Sequence, residues 1–102
     1  MNVPDKWRPY HCSDYYRSAL AVSGWWDVEG QCWYIEPAER VYEDPVREFL
    51  VIGRPGVDGI EWGYRRNCEG LWAHYPIENE FRVIANSVSD LRDGYASGRI
   101  IV

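Results

Sequence analysis

FLVIGRPGVDGIEWGYRRNCEGLWAHYPIENEFRVIANSVSDLRDGYASG, residues Phe49 to Gly98, decides the fold. Phe49–Ile52 is a compact apolar run closed by Gly53-Arg54-Pro55-Gly56, and Pro-Gly at the centre of a turn is a type II signal. Ile60, Trp62 and Tyr64 alternate with Glu61, Gly63 and Arg65, the period of a strand with two unlike faces. Asn67-Cys68-Glu69-Gly70 breaks the chain again. Leu71, Ala73 and Tyr75 then alternate with Trp72 and His74, until Pro76 removes a ladder donor and ends the strand. Phe81–Ile84 reads as the next strand. Ser87-Val88-Ser89-Asp90 has the form of a capping box, with a hydroxyl for an orphan N–H and a carboxylate near the positive helix end. Val88, Leu91 and Tyr95 follow at i, i+3 and i+7, one stripe facing a sheet. Gly98 stops this helix, and Arg99–Val102 is expected to close the chain as an edge strand.

Upstream the signals thin out. Pro4 and Pro9 bracket an extended or turning segment. Ser13-Asp14 caps a helix expected over Tyr15–Val22, with Tyr16, Ala19 and Leu20 on one stripe and Gly24 as its stop; a strand over Ser18–Trp26 is the competing reading. Cys32–Ile35 is a strand by its β-branched and aromatic content, ended by Pro37. Pro37–Tyr42 suits a single helical turn, broken at Asp44-Pro45. The expected fold class is therefore α+β: a mostly antiparallel sheet of 5–6 short strands, with a C-terminal helix and a short N-terminal helix packed against it.

The chain has 102 residues, which bounds it to one domain with a single core. Apolar residues make up 46% and charged residues 26%, a globular balance. Six Trp and eight Tyr cannot all be fully buried in so small a domain, so some aromatic edges reach water. A net charge of −5 lacks the basic footprint that nucleic-acid binding needs and reads either as plain solubility, the commoner case in acidic domains, or as suited to a basic partner. The three cysteines, Cys12, Cys32 and Cys68, form no CxxC pair, and no apolar run approaches a membrane span. These features give the expectation of a cytoplasmic protein that needs no membrane.

Chemistry-bearing residues are sparse. His11 and Cys12 are neighbours whose side chains diverge in extended backbone, and Cys68 with His74 carries no flanking catalytic motif. The His and Cys positions lack zinc-ligand spacing, and Gly53–Gly56 is not followed by Gly-Lys-Ser/Thr, so neither a metal nor a nucleotide cofactor is expected. Trp25-Trp26, between Gly24 and Asp27, reads either as a partner anchor or as a lid over one end of the core.

The spacing of Ile52-Gly53, Gly56–Ile60, Trp62, Tyr64, Gly70–Ala73, Ile84-Ala85 and Leu91 resembles the SUKH superfamily, which includes yeast cell-wall-synthesis regulators and many small bacterial proteins. Trp33–Ile35 and Ala38–Val41 extend the likeness, so that it covers residues 30–102. Met1–Gly30 carries no Leu-Pro motif of the kind with which members usually open. The resemblance implies an α+β domain without catalysis, and its bacterial relatives are immunity proteins that neutralise a toxin, often a nuclease.

Taken together, a non-enzymatic protein-binding module is the expectation, with Trp25, Trp26, Asp58, Glu61 and Glu69 as partner-binding residues. Two other readings stand beside it. One is a small-molecule binder or enzyme with a pocket of Trp62, Trp72 and His74 beside Cys68. The other is a structural subunit, a monomer or a weak homodimer paired through the Arg99–Val102 edge.

Overall fold

The computed structural model describes all residues from Met1 to Val102 as an α+β fold. Its main sheet has five antiparallel strands in chain order: β3 (Tyr42–Asp44), β4 (Phe49–Gly53), β5 (Glu61–Arg65), β6 (Leu71–Tyr75) and β7 (Glu80–Ala85). A separate antiparallel pair joins β1 (Trp25–Asp27) to β2 (Cys32–Ile35). The helices are α1 (Ser13–Arg17), α2 (Leu20–Ser23) and α3 (Val88–Ala96), with 3₁₀ turns at Asp5–Tyr10 and Ala38–Arg40. No helix is long and apolar enough to cross a membrane.

Strand alternation sorts the sheet's side chains. Leu50 opposite Tyr64 and Trp62 opposite Ala73 point to the helical side. There they join Trp7, Tyr10, Tyr15, Tyr16, Ala21, Ile35, Val88 and Leu91 in one buried cluster. Each large side chain so buried contributes roughly 1.5–3 kcal/mol. The other face carries the row Tyr42, Val51, Gly63, Trp72 and Val83, one residue from each strand. Beside that row, Phe49 and Phe81 bring their ring centroids within 5.1 Å, although three strand spacings separate β4 from β7. Flat strands that far apart would lie about 14 Å from each other, so the sheet curls toward this face. Phe49 and His74 are buried there without a covering helix.

Gly56 has the φ of +83° that the third position of a type II turn requires, while the hydrogen-bonded turn of this loop follows it, the Ile60 N–H donating to the Val57 carbonyl at 3.1 Å. At α3, the Ser87 hydroxyl accepts from the Asp90 N–H at 3.1 Å. The capping box is only half formed: Arg99 donates to one Asp90 carboxylate oxygen at 2.9 Å, and the other lies 3.5 Å from the Asn86 N–H, one residue before the Ser87 N–H it would have to reach.

Four expectations are corrected. The single helix over Tyr15–Val22 is two short helices, since Ser18 turns extended (φ −83°, ψ 159°) and its hydroxyl donates to the Tyr15 carbonyl at 2.7 Å. Ala19 is consequently exposed rather than on a buried stripe. Strand β3 begins at Tyr42, where a helical turn was expected to end; only Ala38–Arg40 winds. Arg99–Val102 is not a strand: the Ile100 N–H donates to the Gly94 carbonyl at 2.9 Å, and Ile100 packs on the bare Gly94 backbone. This tail folds over α3 and offers no edge for a homodimer.

Candidate partner-binding surface

Two connections and Val102 meet at one end of the molecule. The β4–β5 loop runs from Arg54 to Ile60, with left-handed backbone at Gly56, Asp58 and Gly59. Beside it stand the β6–β7 turn at Pro76–Asn79 and the C-terminal Val102. Together they line a recess of about 220 Å³ formed by Asp58, Ile60, Tyr75, Pro76, Ile77, Glu78, Arg82 and Val102. A second recess of about 240 Å³ lies on the other side of the same loop, between Arg54 and Glu61. The β1–β2 hairpin adjoins this region, because the Arg54 N–H donates to the Trp33 carbonyl at 3.2 Å.

Apolar and acidic side chains interleave here. Ile77 is 82% exposed and Val57 is 47% exposed, and they stand beside Asp58 and Glu78. The cations at this end are already engaged. Arg54 pairs with the buried Glu36 at 3.2 Å, and Arg82 pairs with Glu80 at 2.9 Å. Asp58 and Glu78 have no ion-pair partner, which leaves this end negative. Glu61 accepts from the Tyr42 hydroxyl. Burial and that hydrogen bond push the Tyr42 phenol up to about 12, so it stays a neutral donor near neutral pH.

Of the expected residues, Asp58 and Glu61 fall on this loop end, and Trp26 stands on the adjoining hairpin. Trp26 is 41% exposed and meets Trp33 edge-to-face at 5.1 Å. Trp25 points elsewhere. Its ring packs on Tyr34 at 4.9 Å and Tyr95 at 6.2 Å, and Tyr95 in turn packs on Trp62 at 5.1 Å. This half-buried indole also walls a groove of about 510 Å³ between α2 and α3, with Ser18, Ser23, Ser89 and Arg92. Glu69 lies past the far end of β5, where its carbonyl accepts from the Trp72 indole at 3.0 Å. It does not share a surface with Asp58. Val57 and Ile77 escaped the sequence reading. Their signal was an aliphatic residue inside a turn, Ile77 between Pro76 and Glu78, where no core can reach it.

The expected pocket of Trp62, Trp72 and His74 is not formed. Trp62 is fully buried toward the helices, its indole N–H donating to the Tyr34 carbonyl at 2.6 Å. Trp72 and His74 lie on the opposite face of the sheet, where Arg65 stacks over Trp72 and Phe81 at 4.9 and 4.2 Å. Burial pushes the Cys12 thiol up to about 11, and its sulfur lies 3.7 Å from the Trp7 carbonyl it donates to, so this thiol stays protonated and unreactive near neutral pH. Comparison of the chain with protein-family models, with curated proteins and with solved structures found no match in any of the three.

Proposed function

We propose that this chain is a non-enzymatic protein-binding module that engages a basic partner through its loop end. The observation that carries the reading is the exposure of Val57 and Ile77 among the unpaired carboxylates Asp58 and Glu78. Apolar contact supplies affinity, and surrounding charge steers a partner of opposite sign. The overall charge of −5 supports the same choice of partner. An immunity role, with a nuclease toxin as that partner, is the finer form of the proposal and rests on the resemblance to the SUKH superfamily. The test is co-expression with the product of the neighbouring gene, scored by rescue of growth and by co-purification. Rescue by the unaltered chain, lost in Ile77→Asp with Asp58→Lys while the fold is kept, supports the module. A chain that neither rescues nor retains a basic protein removes its basis.

A second reading is favoured by the groove at Trp25. Its volume of about 510 Å³ falls within the range of small-molecule sites, and it pairs an indole wall with a guanidinium and serine hydroxyls. Quenching of Trp fluorescence by a metabolite library, abolished in Trp25→Ala, would move the function there.

A further inference from the structure

The two edges of the main sheet are treated differently. Strand β3 spans only Tyr42–Asp44 and runs at once into Pro45, which blunts that edge. Strand β7 spans Glu80–Ala85, contains no Pro or Lys, and is hydrogen-bonded in the sheet to β6 alone. None of its backbone groups finds a partner outside the ladders. Its side chains do not fence the edge either: Val83 is 57% exposed, and Glu80 and Arg82 pair with each other at 2.9 Å. Such a strand is a template for another.

The order of residues on β7 specifies which other strand fits. We propose that β7 pairs antiparallel with β7 of a second copy of this chain, about a two-fold axis at Phe81. In that register Phe81 meets Phe81 of the partner copy, and Glu80 of each chain stands opposite Arg82 of the other. Directly opposed residues in an antiparallel pair lie about 5 Å apart, close enough for both contacts. The two internal Glu80–Arg82 pairs, one per chain, are exchanged for two pairs across the axis. The main-chain bonds along the edge are the new gain. Shifting the register by two residues puts Arg82 against Arg82, so charge selects the register as well as the partner. The bulge opposite Leu71 and Trp72 distorts the strand beyond Val83 and confines pairing to its first half. An edge contact of this length buries little surface, so the association is weak and depends on concentration.

Sedimentation equilibrium from micromolar to millimolar chain concentration tests this without any other protein. The expected result is a mass rising from 12.0 kDa toward twice that value. Arg82→Glu, which sets carboxylates against carboxylates, should hold the chain at the monomer mass, and so should Glu80→Arg. The double exchange Glu80→Arg with Arg82→Glu should restore the dimer. On the unaltered chain, amide hydrogen exchange in β7 should slow as concentration rises, while β3 amides stay unchanged. A constant monomer mass with concentration-independent β7 exchange overturns the proposal. So does a dimer that persists equally in Arg82→Glu. Arg82 also lines the loop-end recess, so the dimer is scored by mass and amide exchange of the isolated chain, readouts from which any loop-end partner is absent.

Discussion

At Asp14 one carboxylate accepts from the Tyr64 hydroxyl at 2.9 Å and from the Val88 N–H at 2.7 Å, joining α1, the sheet and the start of α3. Burial, then the charge of Asp14, pushes the Tyr64 phenol far above its usual range, so the hydroxyl stays a donor. Asp14→Ala strands that buried hydroxyl and should cost about 3 kcal/mol, read from urea denaturation, and Asp14→Asn about half as much. Glu36 is the second residue of this kind: it is buried and held by Arg40 at 3.1 Å and by Arg54 at 3.2 Å. Glu36→Ala leaves Arg54 without its counter-charge beside the β4–β5 loop, and a loss of about 3 kcal/mol is expected in the same measurement. Neither role shows in the sequence. Arg54 and both partners of Asp14 stand far along the chain, and an Asp or Glu looks the same whether it caps a neighbour or pins a distant strand.

Helix α3 is the element whose reading from sequence succeeded most fully. Val88 and Leu91 are buried and Tyr95 is half-buried against Trp62, as their spacing requires. Ser87→Ala should cost about 1 kcal/mol, measured as a lower thermal midpoint, because the Asp90 N–H loses its acceptor. Strands β5 and β6 were legible through alternation over five residues, and β4 and β7 as short apolar stretches set off by turn residues and a helix cap. The elements that were missed are the short ones. Strands β1 and β3 have three residues each, too few to display a period, and β3 is mostly polar. Arg99–Val102 misled in the other direction. Its β-branched residues suit a strand, yet Gly94 opens a seat for Ile100 on α3 that sequence alone does not reveal. Gly94→Ala places a methyl group in that seat. The tail should detach, visible as faster amide exchange at Ile100, while the helix itself gains from alanine's propensity.

Across the whole molecule the tyrosines set the alkaline limit. Burial raises Tyr10 and Tyr16 to about 12 and Tyr15 further still, and a hydrogen bond to Asp27 raises Tyr34 to about 12. A folded-state value above that of the unfolded chain means that the native state holds its phenolic protons longer. The corresponding stability is intact below about pH 10, where unfolded tyrosine begins to ionise, and declines as pH climbs through the folded values. Ultraviolet titration should show most phenols ionising late and together with unfolding. The composition made surface aromatics legible, whereas the identity of the wet ones depended on packing; Trp26 stays out while Trp25 sinks against Tyr34. The Asp14 junction also has a consequence for synthesis. Its two bonds span 50 and 74 positions, so the junction closes only after Val88 has been made, whereas the Tyr15 hydroxyl of the same helix already reaches the Glu36 carbonyl 21 positions on. The early aromatics can therefore gather on Ile35 and Glu36 first, and the carboxylate locks the finished sheet and α3 onto them last.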